Sequence, residues 1–146
     1  VHPQGILHSA VQFADGAIVG QMGVPDMKLP IQYALFYPDR RPMAGGRVDL
    51  CKLGSLTFEK PDTETFRGLA LAYEAGKRGG SMPTVFNAAN EKAVALFLQK
   101  KIQFLQIPEL IQAAMESHDC VESPTVEEIL AAEAQTHEFI RRKFGE

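Results

Sequence analysis

Gly23-Val24-Pro25-Asp26-Met27-Lys28-Leu29-Pro30-Ile31 is the stretch around which the chain is organised. Proline fixes φ and has no N–H to donate, so two prolines in this span exclude a strand and a helix interior. A β-prone segment leads into it and an apolar run, Leu29 to Tyr37, leaves it. Pro30 is tolerated in a first helical turn, which predicts a short helix there. The stiff segment holds Asp26, Met27 and Lys28 in one place on a surface. It reads either as a plain connector between sheet and helices or as part of a site.

Upstream, Ile6 to Phe13 alternates, Asp15-Gly16 follows, and Ala17 to Met22 is a second β-prone run. Asp-Gly suits a two-residue type I′ turn, which needs φ > 0 at both central residues. That turn sets Ala14 against Ala17, Phe13 against Ile18 and Ser9 against Met22. One face is then apolar and the other carries His8, Gln12 and Gln21. An isolated hairpin is marginal in water, so this one is expected to join a larger sheet or a second subunit. His8 reads either as a satisfied structural histidine or as a polar group facing a site. No two histidines have metal-ligand spacing.

Downstream, Pro38-Asp39-Arg40-Arg41-Pro42 breaks the helix, and Gly45-Gly46 lacks the context of a phosphate-binding glycine loop. Asp49 to Phe58 reads as an extended linker. Period-2 signals stop near residues 58–62 and period-3.6 signals begin. Asp62 can cap a helix from Thr63 to Lys77. Ser81 can cap the next, with Pro83 in its first turn and a stripe of Phe86, Ala89, Ala93 and Phe97. Pro108 starts a third. Thr125 and Glu128 form a capping box for a fourth, with a stripe of Ile129, Leu130, Ala134, His137, Ile140 and Phe144. Four helices with short connections predict an antiparallel bundle. In Asn87-Ala88-Ala89-Asn90-Glu91, two poor helix formers suggest a hydrogen-bonding task, structural or functional.

The chain has 146 residues, 45% hydrophobic and 23% charged, a net charge of −3 and a pI near 5.8. That is ordinary globular composition and does not point to nucleic acid or an anionic membrane as a partner. Cys51 and Cys120 are far apart and read as reduced thiols, which suits a cytoplasmic setting, with a single disulfide as the alternative. No apolar run is long enough to span a membrane. The chain opens Val1-His2-Pro3-Gln4 and is in a strand within six residues, which predicts a piece of a longer protein. These residues alone assemble no catalytic constellation; they predict an α+β chain with a hairpin and a helical bundle.

Five ordered blocks carry a resemblance. Val1-His2-Pro3-Gln4-Gly5-Ile6-Leu7-His8-Ser9 comes first, then Asp15-Gly16. Next is Pro25-Asp26-Met27 with Leu29-Pro30-Ile31. Lys52-Leu53-Gly54-Ser55-Leu56-Thr57-Phe58 and Asn87-Ala88-Ala89-Asn90-Glu91 complete the set. Together they resemble the C-terminal part of the 1-deoxy-D-xylulose 5-phosphate reductoisomerase family. The resemblance implies an enzyme that uses NADPH and a divalent metal (Mg or Mn) to convert a phosphorylated sugar in non-mevalonate isoprenoid synthesis, as a homodimer. It implies that residues 1–37 end a catalytic domain, 38–61 link, and 62–146 form the C-terminal bundle. Pro25 and Met27 would pack on the nicotinamide, His8 would support the active site, and Gly5 and Asp26 would lie near substrate. Gly5 stands where the family usually has serine. The metal ligands and cofactor loop would lie before Val1, so this chain alone is expected to be inactive. The alternative is a non-catalytic dimerisation or interaction module of the same fold.

Overall fold

A computed structural model describes residues 1–144, the side chain of Phe144 excepted. The chain forms two compact units, Val1–Pro61 and Asp62–Glu146. Their elements are of the expected α+β kind.

In the first unit, β1 (Leu7–Gln12) and β2 (Ile18–Met22) pair antiparallel. The expected two-residue turn is not formed. Phe13 N donates to Ala17 O at 2.9 Å and Gly16 N to Phe13 O at 3.0 Å, so the loop has three residues, Ala14 to Gly16. Gly16 alone in this loop has positive φ, +90°. The Asp15 carboxylate accepts from Ala17 N at 2.9 Å, which holds this turn and not the type I′ form. The register therefore slips by one. Gln12 faces Ile18, Val11 faces Val19 and Ser9 faces Gln21. A one-residue slip moves every side chain of one strand to the other face. Neither face is uniformly apolar, and Val11, Phe13, Ile18 and Val19 are all exposed. A bulge between Leu7 and Ser9 leaves His8 as the extra residue.

Helix α1 (Lys28–Phe36) follows the Pro-Asp-Met segment. The stretch expected to be extended contains one helical turn, α2 (Leu50–Leu53). Asp49 caps it, its carboxylate accepting from Cys51 N at 3.0 Å and Lys52 N at 3.2 Å. Beyond it, Thr57–Glu59 runs beside Val1–Gln4. Glu59 N donates to Val1 O at 2.9 Å, and the Gln4 amide bonds Thr57 Oγ1 at 2.7 Å. The His2 ring stacks on Phe58, centroids 4.9 Å apart.

The second unit contains α3 (Arg67–Arg78), α4 (Met82–Leu98), α5 (Gln106–Ser117) and α6 (Val126–Phe144). Helix α4 is central and packs against the other three. Its buried face is Met82, Val85, Ala88, Ala89, Ala93 and Leu96. Three alanines let its neighbours approach closely. Leu71 and Ala75 of α3, Ile102 after α4, Leu110, Ile111, Ala114 and Met115 of α5, and Ala132 and Ile140 of α6 complete the core.

Helix ends differ from expectation in instructive ways. Asp62 does accept from Glu64 N and Thr65 N, but α3 begins only at Arg67 after that turn. Helix α5 starts at Gln106, with Pro108 in its first turn. Ser81 sits at the N-cap of α4 and makes no cap bond, because its hydroxyl is engaged elsewhere. The Thr125–Glu128 capping box is formed, with Thr125 N to Glu128 Oε2 at 2.8 Å and Glu128 N to Thr125 Oγ1 at 3.3 Å. On α6 the buried positions are Ala132, Thr136 and Ile140, while Leu130 is exposed. Phe144, the last residue of the expected stripe, has its side chain outside the described residues.

Near the end of α6, Arg142 donates to Glu138 at 2.9 Å and Arg141 at 2.7 Å. The hydrogen bond from Arg142, then the charges of Arg141 and Arg142, hold the Glu138 pKa below its ordinary value. A depressed carboxylate pKa stabilises the fold above the unfolded pKa, and that contribution is lost as pH falls through the folded value. Arg142→Ala should therefore lower the melting temperature slightly at neutral pH and not at all in acid, as read by circular dichroism.

Candidate functional site

The first unit carries a cleft of ≈ 330 Å³ lined by His8, Gln21, Val24, Pro25, Asp26, Met27, Leu29 and Pro30. Its geometry begins at Gly23, the only buried residue of the segment. Gly23 N donates to Ile6 O at 3.0 Å, which ties the loop to the start of β1. Gly23 O lies 3.1 Å from His8 Nε2. A carbonyl only accepts, so Nε2 carries the proton and donates. The bulge at His8 aims the ring at this carbonyl, a usual effect of an extra residue in a strand. His8 Nδ1 is left with acceptor capacity.

Asp26 shapes the far wall. Its Oδ1 accepts from Lys28 N at 2.9 Å and its backbone carbonyl from Leu29 N at 3.3 Å. These bonds satisfy two of the amides that open α1, so Asp26 starts the helix although it precedes the N-cap position, Met27. Lys28 Nζ lies 3.8 Å from the same carboxylate, an exposed pair of small energetic weight. With Asp26 fixed, Met27 projects outward and is 70% exposed beside Pro25. A stiff proline next to a polarizable thioether makes an apolar ledge suited to a flat ring.

Four of the five expected site residues, His8, Pro25, Asp26 and Met27, thus line one cleft. Gly5 lies behind it. It has φ +61°, and a Cβ there would rest 3.9 Å from Pro25 Cγ. The left-handed backbone would strain a serine at this position. Sequence reasoning missed Gln21 and Val24 as lining residues and Gly23 as the anchor of His8. A glycine just before Val-Pro-Asp was the available signal. The Asn87 to Glu91 block lies outside this unit, on α4. Asn87 Nδ2 donates to Glu91 Oε1 at 3.2 Å, while Ala88 and Ala89 are core. Among the described residues no three His, Cys, Asp or Glu side chains converge to hold a metal ion.

Comparison with known proteins places these features. Residues 22–139 match the family model of the DXP reductoisomerase C-terminal domain. The chain is 55% identical over 144 residues to 1-deoxy-D-xylulose 5-phosphate reductoisomerase of Agathobacter rectalis, covering 99% of this chain and 38% of that protein. It is 54% identical to the enzyme of the same name from Lachnospira eligens, with the same coverage. Among solved structures, the reductoisomerase from Zymomonas mobilis in complex with NADPH superposes with TM-score 0.88 at 39% identity, over 100% of this chain and 39% of that one. A DOX-P reductoisomerase in complex with NADPH, fosmidomycin and magnesium gives 0.87 at 35% identity, over 99% of this chain and 38% of that one. The chain spans less than two-fifths of the length of these relatives. With the family model covering most of its length, the chain belongs to the DXP reductoisomerase family and corresponds to its C-terminal part.

Proposed function

We propose that this chain is the C-terminal portion of an NADPH- and divalent-metal-dependent reductoisomerase. The whole enzyme converts 1-deoxy-D-xylulose 5-phosphate to 2-C-methyl-D-erythritol 4-phosphate as a cytoplasmic homodimer. The observation that carries this reading is 55% identity across 99% of the chain to a reductoisomerase. Residues 1–37 end the catalytic domain, 38–61 link, and 62–146 are the C-terminal bundle.

Bound NADPH supplies a hydride to the substrate. The chain's own part is to shape the space where that happens. Pro25 and Met27 fit the face of a nicotinamide ring: both border an apolar cleft, and Met27 is exposed and unbranched. Their packing would orient the ring and keep water from it. His8, locked by Gly23 O, offers Nδ1 to a substrate or cofactor oxygen and plays a supporting role. Asp26 holds the ledge in place and lies near substrate. Gly5 supplies the left-handed backbone, φ +61°, behind Pro25. The donor set does not fit a metal, because no cluster of ligands exists among the described residues. Magnesium or manganese would be held by residues of the rest of the enzyme.

Exposed Val11, Phe13, Ile18 and Val19 on the hairpin favour a second contribution, the dimer contact. A module that only dimerises would keep this surface and need no cofactor. An NADPH-oxidation assay separates the two. A longer polypeptide carrying the preceding cofactor and metal domains should oxidise NADPH with deoxyxylulose phosphate, and this chain alone should not. A longer polypeptide that stays inert with magnesium supplied would leave the dimerisation module as the better account.

A further inference from the structure

A second cavity in the first unit, ≈ 170 Å³, lies between α1 and the loop that follows it, and it shares no charged side chain with the His8 cleft. It is lined by three guanidinium groups, Arg40, Arg41 and Arg47, against a single carboxylate, Asp39. The loop is fastened back onto the helix. Asp39 N donates to Phe36 O at 2.8 Å and Gln32 Nε2 to Pro42 O at 3.3 Å. Asp39 is already used, 3.2 Å from Arg41. The two remaining guanidinium groups have no carboxylate partner among the described residues. The Arg40 guanidinium sits over Tyr33, its Cζ 3.7 Å from the ring centroid, which holds the group in place without using its donors. Arg47 makes no hydrogen bond or ion pair among the described residues and lines the same cavity.

Two uncompensated guanidinium groups, one held in place by stacking, are matched by an oxyanion with several acceptors, since guanidinium forks bind phosphate in bidentate fashion. The volume suits one tetrahedral oxyanion and little more. We propose that this cavity binds a phosphate dianion, free or as the end group of a small monoester, through Arg40 and Arg47. Recognition is by side chains and does not need a glycine-rich loop. The proposal is independent of the role of the His8 cleft.

The test is a nitrogen-15 NMR titration of the full chain with inorganic phosphate, and separately with glycerol 3-phosphate, against potassium chloride at matched ionic strength. Saturable shifts are expected at Tyr33, Arg40, Gly46 and Arg47, and Arg47→Gln should weaken binding by about tenfold, the loss of one charge-assisted hydrogen bond or two. Arg47 stacks on no ring, so that variant keeps the loop folded even where Arg40→Gln does not. Tighter binding of the ester assigns the site to phosphate monoesters, and tighter binding of phosphate assigns it to the free ion; either supports it. No saturable change beyond the chloride control would overturn the proposal, as would binding that Arg47→Gln and Arg40→Gln both leave intact.

Discussion

Gly80→Ala should cost the helical unit about 3 kcal/mol, the sum of a strained left-handed backbone and a displaced backbone hydrogen bond. Gly80 has φ +55°, and it follows Gly79 at φ +65°. The pair reverses the chain between α3 and α4. A Cβ on Gly80 would press into the carbonyl oxygen of Val121 and sit 3.0 Å from its carbon and 3.1 Å from Glu122 Cα. These are backbone atoms and cannot swing aside. The same carbonyl accepts from Ser81 N at 2.9 Å, so moving it breaks a bond that fastens the α5–α6 connection to the start of α4. Gly76 gives the control. It lies inside α3 with ordinary φ and nothing near its missing Cβ. Gly76→Ala should stabilise by about 0.5–1 kcal/mol. Urea unfolding followed by circular dichroism reads both signs; equal midpoints for the two variants would contradict the account.

Ser81→Ala should cost about 2 kcal/mol, because it strips partners from groups that are partly or fully buried. The Ser81 side chain is fully buried. Its Oγ accepts from Val121 N at 2.9 Å and lies 2.7 Å from His118 Nε2, with Cys120 Sγ at 3.9 Å. Cys120 in turn reaches Gly79 O at 3.6 Å. One hydroxyl thus ties the α3–α4 turn to the segment after α5. His118→Ala alone should cost less, since Val121 N keeps its acceptor. The double variant should fall short of the sum of the two, as coupled neighbours do. Additive losses in urea unfolding would show that the hydroxyl and the imidazole act separately.

Ser81 also shows where sequence reading stops. A serine before a proline-bearing helix start reads as a side-chain cap by local chemistry, yet Ser81 holds the N-cap position and makes no cap bond. Its partners, His118 and Val121, lie 37 and 40 residues away, and no local pattern announces them. The Thr125–Glu128 box was legible because both partners sit within one turn. The hairpin itself was legible, but not its register. Asp-Gly serves a two-residue loop or the end of a three-residue one, and the Asp15 side-chain bond to Ala17 N decides between them. On α6, large apolar residues drew attention to Ile129 and Leu130, yet Ala132 and Thr136 face inward. Thr136 can do so because its hydroxyl returns to Ala132 O at 2.7 Å. That His8, Pro25, Asp26 and Met27 belong together came from the family resemblance and not from any local pattern, although all four line one cleft. Only a short hairpin separates His8 from Pro25, so sequence proximity became spatial proximity. The carbonyl of Gly23 that fixes His8 carries no side-chain signal.

In the proposed enzyme, Pro25 and Met27 form the ledge on which the nicotinamide of NADPH rests. Methionine-methyl NMR of the longer polypeptide tests it most directly, with the Met27 signal assigned by its loss in Met27→Leu. Saturation with NADPH should move that signal upfield, as a methyl over an aromatic face does, while Met82 and Met115 in the helical core stay still. NADPH that binds, by fluorescence, and leaves the Met27 methyl unmoved would contradict the account.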